Sequence, residues 1–164
     1  MTKRTNIVCD VGRSICAWCG RITAIGDISL PETHGICASC AVQNGFMEVY
    51  SLPDADHTQL DALPFGIIRL GYDNKIVAYN EWESAFARRS PESVIGKCFF
   101  TEVAPCTNVQ SFHGVVRQLQ EAGVSGACEF DFVFEFAHGY TMVFIQAIYN
   151  PVNRTTLLMV QQKK

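Results

Sequence analysis

The sequence predicts an α+β domain, a five-stranded antiparallel sheet with helices on one face, preceded by a small cysteine-bearing unit. Three observations carry this. Two short apolar runs near residue 70 read as a hairpin, three long aromatic and β-branched runs occupy the end of the chain, and helical spacing falls only between these groups. A pair of Cys-x2-Cys motifs lies ahead of all of them and marks the appended unit.

The 164 residues, 48% hydrophobic and 11% aromatic, suffice for one core of ordinary size and a small appendage. The formal net charge of -3 and the lack of a dense Lys/Arg run argue against nucleic acid as a partner. The sequence has no signal-peptide run and no apolar window approaching a membrane span, so a cytoplasmic protein is expected, without a membrane partner. Thiols stay reduced in that compartment, and the eight cysteines read first as ligands, nucleophiles or small core residues.

Residues 1–45 form the expected first unit. Cys16 and Cys19 in "CAWC" and Cys37 and Cys40 in "CASC" would put four thiolates on two tight turns, an arrangement suited to one tetrahedral zinc ion. So short a segment has few large apolar residues, and metal binding would supply the missing stability. An iron–sulfur centre, a redox dithiol or buried cysteines are the competing readings. The segment resembles the short zinc-ribbon-like elements found beside bacterial signalling domains, which implies a protein contact.

Residues 46–61, with the polar "SLPDADHTQ", read as a connector, and residues 62–164 as the main domain. There "FGIIRL", "GYDN" and "KIVAYN" give a strand, a turn and a strand. "EWESAFARR" has helical spacing at Trp82, Ala85 and Phe86, and Ser90 with Pro91 opens a further short helical turn that ends at Gly96. "SFHGVVRQLQEAG" places Phe112, Val115, Val116, Leu119 and Ala122 on one helical face and stops at Gly123. Three strands follow, broken at "HG" and "NPVN". Two strands, then helices, then three strands is the element order of a PAS domain.

Cys98 and Cys128 sit within apolar patterns and read as core. Cys106, in "EVAPCTNV", instead follows a proline in a loop before the long helix, where backbone amides can activate a thiol. On composition alone an inert thiol is the simpler reading. His57, His113 and His138 lack partners at ligand spacing and read as surface or loop residues. No catalytic triad, phosphate loop or carboxylate pair supports an enzyme.

From "QLDALPFGII" to "LLMVQQ" the chain resembles photoactive yellow protein, a family of PAS-fold blue-light receptors. The densest match is the "YN" pair, the following glutamate and "SPESVIGKCFFTEVAPCTN". The resemblance implies p-coumaric acid bound as a thioester on Cys106, its phenolate hydrogen-bonded by Tyr79 and Glu83. It also implies a pocket shielded by Arg89 and walled in part by Phe99 and Phe132, with Phe130 and Phe136 at the other aromatic positions.

A buried phenolate needs hydrogen-bond donors, and Glu83 can donate only if burial raises its pKa. The resemblance further implies that light isomerises the chromophore, that Glu83 loses its proton, and that the stranded carboxylate loosens the fold and changes a contact with a downstream signalling protein. Homodimerisation is left open.

The sequence departs from the family in three ways. Ala87 stands where a threonine usually assists the network, phenylalanines replace a tyrosine and a methionine of the wall, and the cysteine unit stands where the family has a helical cap. Taken singly, Tyr79, Glu83 and Arg89 would read as a sheet tyrosine, a solvated acid and a surface charge. The main alternative is a PAS sensory or interaction module without photochemistry, retaining a structural zinc site. A cysteine-based redox sensor lacks an evident base.

Overall fold

In the computed structural model, residues 55–163 are described in full, along with the backbone of three short strands nearer the amino terminus: β1 (Ser14–Cys16), β2 (Ile22–Ala24) and β3 (Thr33–Gly35). β1 pairs antiparallel with β2 and parallel with β3. Cys16 closes β1, and Cys19, Cys37 and Cys40 lie outside the described residues. The four-cysteine reading therefore gains no support here. Among the described residues no group of three or more His, Cys, Asp or Glu could hold a metal ion.

Period-two alternation and turn residues generate the main sheet. β4 (Gly66–Leu70) and β5 (Ile76–Tyr79) form the expected hairpin, in which Asn74 adopts the left-handed conformation (φ 61°) and the Gly71 amide donates to the Lys75 carbonyl at 2.9 Å. The three trailing strands are β6 (Gly126–Phe136), β7 (Gly139–Asn150) and β8 (Thr155–Gln162). All pairings are antiparallel, in the order β5-β4-β8-β7-β6. The amino-terminal hairpin thus joins the last strand, which places β8 at the centre and leaves β5 and β6 at the edges.

Between the hairpin and β6 run α2 (Glu81–Ala87), α3 (Pro91–Val94) and α4 (Val115–Ala122). They cover one sheet face. Phe99, Phe100, Phe112, Val116 and Leu119 pack there against Ile68, Leu70, Val143, Ile145, Leu158 and Val160. The expected helical face of Phe112, Val116 and Leu119 is buried, but the first turn of that segment, Gln110–Gly114, is π-helical, with the Gly114 amide reaching the Val109 carbonyl at 3.3 Å. Gly123 ends α4 at φ 66°, as its lack of a side chain permits.

The opposite face has its own cover. A short helix, α1 (His57–Asp61), is closed by a capping box in which Asp56 accepts from the Gln59 amide and the Gln59 side chain accepts from the Asp56 amide. It lays Leu60, with Ala55, Leu63 and Phe65, onto Ile67, Ile148, Leu157 and Met159. Burying Leu60 contributes ~1.5–3 kcal/mol. The end of the segment read as a connector is therefore core, because alternate residues of the central strands are apolar on both faces.

Cys128 is core as expected and is disulfide-bonded. Cys98 is a free thiol and only half-buried, where Lys75 and Cys98 form an isolated bridge and the Cys98 amide donates to Glu102 Oε2 at 2.7 Å. No helix among the described residues is long and apolar enough to cross a membrane.

Candidate functional site

The end of β5 and the start of α2 create the site. Asn80 caps α2, its Oδ1 accepting from the Glu83 amide at 3.1 Å, so the helix begins immediately after the strand and Glu83 is carried under the sheet in its first turn. Gly66 of β4 makes room for it: a Cβ at that position would overlap Glu83 Oε2. Tyr79 is the last residue of β5 and is 3% exposed.

Glu83 is 2% exposed, and its Oε2 has no hydrogen-bond partner among the described residues. Desolvation by burial raises its pKa to about 8, so the carboxyl holds its proton at neutral pH. The solvated acid expected of a lone helical glutamate is thereby excluded. The phenol of Tyr79 is pushed upward by burial, then by Glu83, and is drawn back by Arg89. Its hydroxyl donates to the Glu83 backbone carbonyl, not to the carboxyl, over a long 3.4 Å.

Cys106 reaches the same place from the other side. It lies in a 3-10 turn, Pro105–Thr107, preceded by the π-helical turn Phe99–Val103, whose Ala104 amide donates to the Phe99 carbonyl at 2.8 Å. The turn is fixed by the buried Thr107, whose hydroxyl donates to the Ala104 carbonyl at 2.6 Å. Cys106 is a free, half-buried thiol.

Tyr79, Glu83, Arg89, Phe99 and Cys106 all line one cavity of about 730 Å³, within the range of small-molecule sites. Arg89 is exposed at its rim. Arg88, the left-handed residue that ends α2 (φ 55°), lines the cavity beside it. Phe132 does not line it. Phe112 stands against Phe132 and Phe130 with ring centroids 5.0 Å from each, so the next inward residues of β6, Phe134 and Phe136, form the wall instead. Phe136, one of the expected aromatic positions, is in place, and Phe130 is displaced with Phe132.

Sequence reasoning missed Gly66, Phe134 and His138. Phe130, Phe132, Phe134 and Phe136 share one face of β6, and period-two alternation cannot tell which of them meets the cavity. His138, taken for an unattached loop residue, lines the cavity and stacks on Phe136 at 5.0 Å and 3°. Gly66 carries no chemistry of its own; only its register opposite Val160 and next to α2 betrays it.

Three comparisons bear on this arrangement. No family model matches the chain. Photoactive yellow protein of Rhodothalassium salexigens is 40% identical over 86 residues, which are 52% of this chain and 68% of the relative; that of Cereibacter sphaeroides is 34% identical over 100 residues, covering 61% and 80%. The photoactive yellow protein domain of the sensor histidine kinase Ppr from Rhodospirillum centenum superposes with a TM-score of 0.64 at 36% identity, covering 68% of this chain and 97% of that domain. A PAS domain from Colwellia psychrerythraea, at 13% identity and TM-score 0.52 over 65% of this chain and 92% of its own, shares the fold alone. With 34–40% identity over 68–80% of these relatives' length, the chain belongs to the photoactive yellow protein family.

Proposed function

We propose that the chain is a blue-light photoreceptor that holds p-coumaric acid as a thioester on Cys106. The observation that carries this is the convergence of Cys106, Tyr79 and Glu83 on one cavity, with a buried Glu83 oxygen that no group among the described residues satisfies. A buried polar atom without a partner costs ~1–3 kcal/mol, which a ligand oxygen at that position would recover. When bound, the group supplies a light-isomerisable double bond and a phenolate oxygen.

The protein's own part is to bind, orient and hold a proton. Cys106 anchors one end at a turn fixed by Thr107. Tyr79 and the protonated Glu83 offer O–H groups in a low-dielectric setting, where hydrogen bonds to an anion are short and strong. Phe99, Phe134 and Phe136 exclude water. Once Glu83 gives up its proton, its carboxylate is left buried without a partner, a state costly enough against a total stability of ~5–15 kcal/mol to loosen the neighbouring helix.

Such loosening would be read by a downstream signalling protein, and the kinase context of the Ppr domain favours that class of partner. Cys16, Cys19, Cys37 and Cys40 belong to the proposal as a zinc unit; metal analysis should give one zinc per chain, and a metal-free protein would remove that element.

The test is reconstitution. Purified protein mixed with activated p-coumaric acid should turn yellow and bleach reversibly in blue light, and Cys106→Ala should stay colourless. Glu83→Gln should keep the attachment while moving the band to the red. A colourless wild type would leave a PAS sensory or interaction module.

A further inference from the structure

His113 stands at the centre of a polar bridge beside the Cys106 turn. Its Nδ1 lies 2.9 Å from Asn108 Oδ1, and Asn108 directly follows the Cys106 turn, its amide donating to the Pro105 carbonyl at 3.1 Å. Its Nε2 lies 3.5 Å from Asn74 Nδ2 at the tip of the β4–β5 hairpin. The ring is stacked on the fully buried Phe100 at 4.1 Å and 13°, and Phe100 abuts Phe99 of the cavity wall.

The partners dictate the ring's proton. Asn74 Oδ1 is taken by Gln120, whose Nε2 donates to it at 3.1 Å and lies 3.5 Å from Thr156 Oγ1, so the Asn74 amide turns its N–H toward His113. Every donor meets an acceptor only if the imidazole is neutral, with its hydrogen on Nδ1 facing the Asn108 carbonyl oxygen and its Nε2 bare. The ring's environment agrees, because desolvation and then the nearby Arg117 guanidinium both disfavour the imidazolium.

We propose that His113 is a positioning residue for the chromophore-bearing turn, tying Asn108, beside Cys106, to Asn74 of the sheet hairpin through its two ring nitrogens. The inference rests on Cys106 being the attachment site, and it gives that site a rigid reference. A thiol that carries one end of a ligand must stay in register with donors held at the other end, and those donors, Tyr79 and Glu83, sit at the end of β5 and the start of α2, the strand and helix that follow Asn74.

The experiment uses the protein without chromophore, so its failure is separate from a failure of the colour test. Long-range 15N NMR of histidine-labelled wild type should show His113 protonated at Nδ1 and bare at Nε2 at neutral pH; the opposite tautomer would overturn the proposal. His113→Phe keeps a ring on Phe100 and removes both nitrogens. Amide exchange at Thr107, Asn108 and Val109 should then quicken about tenfold, as loss of one hydrogen bond implies, while Ile145 and Ala147 in β7 stay unchanged. His113→Gln, which restores a donor and an acceptor, should recover part of that protection. An unchanged turn, or a rise spread evenly over the domain, would reduce His113 to packing.

Discussion

Asn80 and Glu83 stand three residues apart at the start of one helix and are equally hidden from water, 1% and 2% exposed, yet they are treated in opposite ways. Asn80 is saturated. Its Nδ2 donates to the Leu60 and Phe65 carbonyls at 2.9 Å each, and its Oδ1 accepts from the Ile67 amide at 2.9 Å and the Glu83 amide at 3.1 Å. Glu83 has a stranded oxygen. One buried polar group ties α1, β4 and α2 together; the other keeps an oxygen without a partner among the described residues. Full satisfaction fits a structural residue, and the unsatisfied oxygen of Glu83 is the deficit on which the proposed ligand site rests.

Substitutions sharpen the contrast. Asn80→Ala would strip four buried backbone groups of their partner at ~1–3 kcal/mol each, so a loss of at least ~4 kcal/mol is expected in urea unfolding. A loss under ~1 kcal/mol would mean that water replaces the side chain.

Gly66→Ala pushes a methyl group into Glu83 Oε2 and to 3.0 Å from the Trp82 ring, a clash worth ~1–3 kcal/mol. Paired with Glu83→Ala, that penalty should shrink, since the carboxyl has gone. Strict additivity in the double-mutant cycle would show that the two residues do not press on each other.

Glu83→Gln has the smallest effect in mild acid, and its signature is pH dependence. In the unfolded chain the carboxyl ionises near its ordinary value of ~4.3, whereas in the fold it holds its proton to about 8. Between those values the folded state binds the extra proton, so stability falls as pH rises, by up to ~1.4 kcal/mol per unit, and levels off above pH 8. Thermal melts from pH 5 to 8 should show that decline in the wild type without chromophore and lose it in Glu83→Gln. Parallel curves would place the proton elsewhere.

Much of this was legible beforehand, for identifiable reasons. Strands and helices declare themselves through periodicity, and the hairpin and helix stops through Gly71, Asn74 and Gly123, so the element order followed from local signals. Cys106, Tyr79 and Glu83 could be nominated from the family-like stretch, but their convergence depends on α2 starting immediately after β5, a tertiary fact. Phe132 was misplaced because Phe112 fills the space in front of it, and that rests on a π-helical turn which no residue pattern announces. His113 was passed over for a similar reason: its partners, Asn74 and Asn108, are brought to it by a hairpin and a turn.

The two aromatic residues that close the cavity on its far side, Phe134 and Phe136, ride on the last inward positions of β6, next to the Ala137–His138 hairpin bend. β6 borders the five-stranded sheet and, among the described residues, pairs only with β7. Fraying that corner would break the end of a single ladder and leave the central strands untouched. The far wall of the cavity therefore rests on the end of one ladder, whereas Glu83 lies against Gly66 of β4, a strand paired on both sides.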